Sequence, residues 1–299
     1  MTGHASVWRR AASHGGARFG LAVLLLMALA ALAAPWLGTI DPTWFDPTHT
    51  NVAPGSRVDY AMPDGSTVQR WLPFGTDGFG RDVWSRVVFG ARVSLAVGAA
   101  VAVVALSIGI LLGLAAGGVR WLDGPLMRVM DGLMAIPAVL LAIALVAALR
   151  ANLLTVIVAI AVPEIPRIVR LTRSLVLQLR EEPYVDAAVA LAAAPHRILL
   201  AHILPNAAAP LIVQATYTAA SAILIEAILS FLGVGLPAEV PTWGNVMAEG
   251  RVQFNDHPQL VLIPGAFLAL TVLAVNLLGD GLRDTLDPKF ARRTGTGAR

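Results

Sequence analysis

Six long apolar segments constrain this chain more than any other feature of its sequence. A helix needs about 20 apolar residues to cross the hydrocarbon core of a bilayer. No segment shows the ten-residue alternation of a membrane barrel, and lipid leaves the helix as the other way to satisfy the backbone. The predicted spans are Phe19 to Leu37, Val93 to Val119, Leu126 to Leu149, Leu153 to Leu171, Ala208 to Phe231 and Leu260 to Leu278. The predicted fold class is an all-α membrane protein with six transmembrane helices.

The composition supports this class and excludes several functions. The 299 residues are 57% hydrophobic and 14% charged, which is too apolar for a soluble chain of this length. No cysteine is present, so disulfides, thiolate nucleophiles and cysteine-bound metals are excluded. The high pI is interpreted as a sign of membrane topology rather than of nucleic-acid binding. Membrane lipid is therefore an expected partner and nucleic acid is not.

The distribution of basic residues predicts the orientation. Segments on the N-terminal side of the six spans hold fifteen Lys and Arg residues, against seven on the other side. Basic residues are retained in the cytoplasm, so both termini are predicted to be cytoplasmic. The first span also resembles a signal peptide, but its apolar run is long for one. The predicted divisions are a tail at 1–18, the first span at 19–37, a periplasmic loop at 38–92 with an interfacial helix, a core of five transmembrane helices at 93–280 and a tail at 281–299.

The periplasmic loop is predicted to be a small folded unit. Asp64-Gly65 lies between two short mixed runs and predicts a hairpin. Thr76-Asp77 is a predicted helix cap, and the stretch Arg81 to Phe89 is predicted to form a helix on the membrane surface. Its apolar face would comprise Val83, Trp84, Val87 and Val88. The alternative is a simple connector into the second span.

Two features of the spans predict helix contacts or a polar pathway. Gly109, Gly113 and Gly117 recur at every fourth position of the second span, which favours close packing against another helix. That helix belongs either to this chain or to a second subunit. Glu226, placed in the middle of the fifth span, costs about 2.5 kcal/mol or more in lipid. It is either a polar point of a pathway or gate, or a hydrogen-bonded strut, and Asn276 raises the same question.

The sequence contains no recognisable catalytic or metal-binding motif. His196 and His202 are six residues apart and do not share a helix face, and no His-Glu-x-x-His pattern occurs. A phosphate-binding loop and a serine nucleophile elbow are also lacking. We therefore expect no catalytic residues, no metal and no cofactor on this chain.

The stretch "EEPYVDAAVALAAAPHRILLAHILPN", residues 181–206, interrupts the apolar pattern and forms nearly all of a predicted loop at 180–206. Glu181, Glu182 and Pro183 suit the start of a helix that is predicted from Tyr184 to Ala194, with Asp186 as its only charge. Pro195 opens a second helix, which Pro205 is expected to break or kink. The predicted contact side, fit for a groove on another protein, comprises Tyr184, Val185, Ala188, Val189 and Ala192. The alternative is a helix resting on lipid headgroups.

This stretch resembles the EAA loop of permease subunits of ABC importers. The matching residues are Asp186, Ala187, Ala188, Ala192, Ile203, Leu204 and Pro205. Asp186 stands where the pattern has glutamate, and Ala192 where it has glycine. Because alanine lacks the backbone freedom of glycine, the bend at Ala192 is expected to be less sharp.

Other stretches resemble the C-type permease of the dipeptide, oligopeptide and nickel group. They are "GTDGFGRDVWSRVVFGARVSLAVG" from Gly75, "MRVMDGLMAIP" from Met127, "FLGVGLP" from Phe231, "PTWGNVMAEGR" from Pro241 and "TVLAVNLLGDGLRDTLDP" from Thr271. The resemblance covers roughly residues 70 to 290. It weakens at "PEIPR", Pro163 to Arg167, where the family usually has aromatic and small residues.

The resemblance implies a type I ABC importer permease (MetI-like) of the bacterial inner membrane, which forms half of a pathway for peptides or a similar small solute. It implies as partners a second related permease, two ATPase subunits that carry ATP and Mg, and a periplasmic or lipid-anchored binding protein. The implied ATPase-docking residues are Tyr184, Val185, Asp186, Ala187, Ala188, Leu191, Ala192 and Pro205. The implied binding-protein contacts are Trp243, Asn245, Glu249 and Arg251.

Two other classes of function are weighed against this one. A proton-coupled secondary transporter would use Glu226 and Glu164, but it predicts inverted repeats and more intramembrane charges than the sequence shows. An intramembrane hydrolase lacks a nucleophile and a base at usable spacing. The cargo stays open among peptides, nickel complexes and glutathione.

Overall fold

The computed structural model describes residues 15–150 and 152–286, so most of both predicted tails lies outside the described residues. Within these ranges the regular secondary structure is helical apart from one β-hairpin, and loops connect the elements. The helices are α1 (Gly15–Leu32), α2 (Val83–Gly118), α3 (Arg120–Met134), α4 (Ala138–Leu149), α5 (Leu153–Leu179), α6 (Pro183–Ala190), α7 (Pro195–Arg197), α8 (Leu204–Phe231), α9 (Trp243–Gly250) and α10 (Gln259–Leu286). Short 3-10 turns follow α1 and α9, and a π-helix at Ile198–Ile203 joins α7 to α8.

The predicted hairpin is confirmed. Strands β1 (Ser56–Ala61) and β2 (Thr67–Leu72) pair antiparallel, with Ser56 opposite Leu72 and Ala61 opposite Thr67. Gly65 has a φ of 80°, and the Asp64 carboxylate accepts hydrogen bonds from the backbone N and hydroxyl of Ser66 at 2.9 and 2.6 Å. Glycine suits that left-handed backbone conformation because it has no Cβ.

Asp46 ties the loop before the hairpin to β1. Its side chain is buried and accepts hydrogen bonds from the Ala61 N, the Thr48 N and hydroxyl, and the His49 Nδ1, at 2.9, 2.9, 2.5 and 2.8 Å. Burial by itself would raise the pKa of Asp46, but these hydrogen bonds outweigh it and hold the pKa well below its usual value. Asp46 is therefore ionised at neutral pH and holds this loop in place.

The predicted surface helix at Arg81 to Phe89 is wrong, because these residues begin a longer helix. Asp82 caps α2 by accepting a hydrogen bond from the Trp84 N at 3.1 Å, so the cap lies later than Thr76-Asp77. From Val83 the helix runs unbroken for 36 residues. Val83, Val87 and Val88 are buried in the protein instead of facing lipid.

The all-helical membrane class is confirmed, and the bounds of the predicted spans are corrected. Among the described residues, four helices are long and apolar enough to cross a membrane, and the bent pair α3 and α4 makes five. The predicted third span is not one straight helix, because α3 and α4 meet at 89° where Pro137 ends the first. The predicted fourth span lies in α5. This helix carries Glu164, Arg167 and Arg170, so it has too many charges to be one of the four apolar helices. The first span starts at Gly15 and ends at Leu32.

The centre of the fold is the contact between α2 and α5, which answers the question raised by the glycine stripe. A Cβ atom added at Gly109 would lie 2.6 Å from the Ile168 Cβ. Cβ atoms added at Gly113 and Gly117 would lie 2.4 and 2.7 Å from the nearest side-chain atoms of α5. The stripe therefore packs against a helix of this chain, and α5 continues through Pro163 and Pro166 while doing so.

We expect Gly113→Ala to destabilise the protein, because its methyl group would overlap the Thr172 Cβ. Overpacking of this kind costs about 1–3 kcal/mol. Thermal unfolding of the detergent-purified protein should show a lower Tm. Gly132→Ala in α3 is the matched control, since its Cβ meets no atom within 4 Å and alanine favours a helix. Equal Tm values for both variants would contradict the close contact.

Candidate functional site

Helix α6 and the turn after it form the candidate docking site predicted from the sequence. Pro183 lies in the first turn of α6 as expected, but the helix ends at Ala190 rather than at Ala194. The Ala192 N donates to the Val189 O at 2.9 Å, and the Ala193 N donates to the Ala188 O at 3.1 Å. This pair of bonds defines a Schellman motif, in which the residue at the position of Ala192 is usually glycine.

The expectation of a less sharp bend at Ala192 is wrong. Ala192 has a φ of 56°, the left-handed conformation that glycine adopts without strain. The hydrogen bonds of the turn therefore hold an alanine in a glycine conformation at a cost of about 1–2 kcal/mol. The bend of the family pattern is kept although its glycine is replaced.

The predicted contact side of α6 is correct only in part. Val185 and Ala188 are buried, and Val185 packs with Leu114, Val176 and Ile203 of this chain. Because they are buried against this chain, Val185 and Ala188 cannot contact another protein. A short helix at the end of a bundle is held in place by burying one side in this way. The exposed face is formed by Tyr184, Asp186, Ala187, Val189, Leu191 and Ala192.

The predicted break at Pro205 does not occur. The chain stays helical from Pro195 to Phe231 through the π-helix, where the Leu204 N donates to the Leu199 O, five residues earlier. The wider π turn accommodates the proline, which has no N–H to donate. The loop is instead interrupted at residues 191–194.

Arg180 joins the candidate docking site to the end of α2, a contact that sequence reasoning missed. Its Nη1 donates to the Gly117 O at 2.9 Å, at the C-terminus of α2 where the carbonyl groups lack helical partners. Leu199 packs on the neighbouring Gly118. An arginine before a turn is an ordinary sequence feature, so nothing in the pattern indicated its distant partner.

The opposite end of α2, beside the hairpin, holds a largely buried charge cluster of Asp77, Arg81, Arg86 and Glu249. Arg86 is 1% exposed. Its Nη1 lies 2.8 Å from the Asp77 Oδ2, and its Nη2 lies 3.2 Å from the Glu249 Oε1. Arg81 also contacts both carboxylates, with its Nε 2.7 Å from the Asp77 Oδ2. The cluster connects the loop, α2 and α9.

The residues predicted to meet a binding protein are largely inside this end of the fold. Trp243 is fully buried and its indole donates to the Val87 O at 3.1 Å. Asn245 is buried and donates to the Pro237 O and Val240 O, both at 2.9 Å. Glu249 belongs to the charge cluster, whereas Arg251 is exposed and donates to the Phe231 O at 2.8 Å. For Trp243 and Asn245 the prediction is wrong, since Trp243 joins α9 to α2 and Asn245 holds the connection between α8 and α9.

Glu226 lies near the end of α8 that faces the hairpin and not in its middle. It is fully buried and accepts a hydrogen bond from the Ser230 hydroxyl at 2.8 Å, while the Ser94 hydroxyl of α2 lies 3.4 Å away. These contacts fit the interpretation of Glu226 as a hydrogen-bonded strut between helices. Asn276 is half-buried on α10, and no hydrogen bond in the described part of the chain joins it to Glu226. No group of three potential metal ligands occurs among the residues that the structure describes.

Comparison with known proteins assigns this arrangement to a class. The family of inner membrane components of binding-protein-dependent transport systems matches residues 105–292, and the N-terminal transmembrane domain of oligopeptide transport permease C matches residues 5–54. A multi-pass helical permease is therefore the class that the fold and the site define. The chain belongs to the binding-protein-dependent transport family of permeases.

Named relatives and one solved structure agree with that class. A putative peptide transport system permease of Brucella abortus is 46% identical over 94% of this chain and 90% of its own length. The dipeptide transport permease DppC of Alkalihalophilus pseudofirmus is 42% identical over 91% and 85%. A glutathione transport permease of Pectobacterium atrosepticum is 39% identical over 95% and 90%. The inward-facing MetNI methionine ABC transporter shares the fold, with a TM-score of 0.50 and 20% identity over 69% of this chain and 94% of that one.

We expect Ala192→Gly to stabilise the turn after α6, because glycine adopts a φ of 56° without strain. The gain should approach 1 kcal/mol. Hydrogen exchange of the amides at 189–194 should become slower. Ala190→Gly, two residues earlier and inside the helix, is the control and should speed exchange. Faster exchange in Ala192→Gly would contradict the strained turn.

We expect Arg86→Met to lower the Tm strongly, because it removes the fully buried one of the two arginines that the Asp77 and Glu249 carboxylates share. Breaking a buried pair in this way costs about 3–5 kcal/mol. The control is Arg57→Met, which removes an exposed arginine from the hairpin. Thermal unfolding in detergent should separate the two variants, and similar Tm values would show that the cluster contributes little.

Proposed function

We propose that this chain is one of two permease subunits of an ATP-driven importer that moves peptides, or a similar small solute, into a bacterial cell. The observation that carries the proposal is the exposed face of α6, held on a rigid base by Val185 and Arg180 in a chain of this permease family. A short helix with one buried side and one free side suits insertion into a groove of another protein. The partner is a cytoplasmic ATPase that binds ATP and Mg, so this chain performs no catalysis itself.

The orientation follows from the distribution of basic residues. The α6 end of the bundle carries the Arg-rich segments and is cytoplasmic, together with both termini, and the hairpin end faces the periplasm. The membrane is the bacterial inner membrane. A binding protein would deliver the solute at the hairpin end, where Arg251 is exposed.

Helix α2 connects the two ends mechanically. At about 1.5 Å per residue, its 36 residues span about 54 Å without a break. Its C-terminus is bound by Arg180 beside α6, and its first turns hold Arg86 in the charge cluster. A displacement of α6 by the ATPases would therefore reach the hairpin end through one rigid helix.

The cargo class rests on the relatives. The three relatives named above carry names for peptide, dipeptide and glutathione transport, and these solutes are all peptides or peptide-like. A proton-coupled carrier is less well supported, because both intramembrane glutamates are engaged within the chain. Glu164 accepts a hydrogen bond from the Ser221 hydroxyl at 2.9 Å, and Glu226 accepts one from Ser230.

We expect Leu191→Asp and Tyr184→Ala each to reduce the solute-stimulated rate of ATP hydrolysis by the assembled complex about tenfold. Both substitutions remove exposed apolar contact area. A tenfold change corresponds to about 1.4 kcal/mol of coupling free energy. Membrane insertion should be unchanged, because neither side chain supports the core. ATP hydrolysis by the complex in nanodiscs, with and without loaded binding protein, provides the measurement.

The matched control is Arg120→Ala, which changes an exposed residue at the same end of the bundle but outside α6. Its stimulated rate should equal that of the unmodified complex. Unchanged stimulation in Leu191→Asp would remove the docking role of α6. Solute uptake by this chain reconstituted alone, without nucleotide, would refute the importer proposal as a whole.

A further inference from the structure

The exposed apolar side of α1 indicates the depth of the segment that follows it. The described residues from Gly15 to Leu32 span about 27 Å, close to the roughly 30 Å of the hydrocarbon core. The 3-10 turn Ala34–Trp36 at its end therefore lies at the boundary between acyl chains and headgroups. One face of α1 exposes large apolar side chains to lipid along its length, namely Phe19, Leu21, Leu25, Leu26, Leu29 and Leu32.

Two hydrogen bonds hold the hairpin at the same depth. The Trp84 indole donates to the Leu37 O at 3.1 Å, and the Arg70 guanidinium donates to the Gly38 O. Because Leu37 and Gly38 directly follow the boundary turn, β2 and the start of α2 are fixed beside it. These two hydrogen bonds therefore fix the hairpin at the level of the membrane surface.

An apolar groove of about 540 Å³ opens where these elements meet. Its walls include Leu37, Met62, Val68, Trp71 and Trp84. Trp71 and Val68 are 59% and 49% exposed, and Trp36 beside the groove is 82% exposed. A cluster of exposed tryptophan and aliphatic side chains of this kind marks an interaction surface.

We propose that this groove binds a phospholipid of the leaflet at the hairpin end, with β2 lying at the level of the headgroups. Leu37, which lines the groove, lies shortly after the exposed apolar side of α1, so the acyl chains around α1 would reach the rim of the groove. Tryptophan side chains concentrate at this depth in membrane proteins, because their rings are apolar and their indole N–H is polar. Arg57, directly opposite Trp71 on β1, places a cation beside the phosphate of such a lipid. The proposal requires only that α1 spans a bilayer and does not depend on transport.

The experiment uses single-cysteine variants, which the natural lack of cysteine makes possible without further changes. Trp36→Cys, Trp71→Cys and Val68→Cys would each carry a nitroxide spin label in liposomes of phosphatidylethanolamine and phosphatidylglycerol. Collision rates with oxygen, which prefers lipid, and with a water-soluble nickel chelate report the depth of each label. Glu239→Cys, in an exposed loop at the same end, is the matched control.

We expect the ratio of oxygen to nickel collisions to be several-fold higher at positions 36, 68 and 71 than at 239. A ratio at 68 and 71 equal to that at 239 would place the groove in water and overturn the proposal. Shielding of both labels from both reagents would show that protein covers the groove, which would also overturn it. Neither result bears on the importer function, because no ATPase or binding protein is present.

Discussion

The rest of the structure depends on the close approach of α2 and α5. The backbones of the two helices come together because glycine recurs at every fourth position of α2, where any larger side chain would overlap α5. In a membrane, apolar burial contributes little to helix association, because the lipid is itself apolar. Dispersion contacts between closely packed backbones therefore supply much of the attraction. This contact positions α6, which follows directly after α5, against the end of α2.

Polar side chains reinforce the ends of the bundle where helices leave unpaired carbonyl groups. Arg180 donates to the end of α2, Arg92 to the end of α1 and Arg251 to the end of α8. Each arginine comes from a different element than the helix it caps. These contacts join segments that are distant in sequence, and they explain how a chain with few charges uses them structurally.

The two ends differ in what they leave available. At the α6 end, one side of a short helix stays free while Val185 and Ala188 anchor the other, which suits a movable partner. At the hairpin end, the polar groups of Trp243, Asn245 and the cluster around Arg86 bind to other residues of this chain. Trp243 and Asn245, which the resemblance implied as binding-protein contacts, therefore stabilise the hairpin end from inside and are not exposed on its surface.

The sequence by itself determined the helical membrane class, the hairpin at Asp64-Gly65, the glycine stripe and the family to which the chain belongs. Each is a local or periodic pattern that follows from backbone geometry and from the cost of polar groups in lipid. Only the tertiary structure decided that the stripe meets α5, that α2 begins at Val83, that Ala192 keeps a glycine conformation and that Arg86 is buried between Asp77 and Glu249. These outcomes depend on partners more than fifty residues away or on neighbouring hydrogen bonds that outweigh a local preference, and no local pattern contains that information.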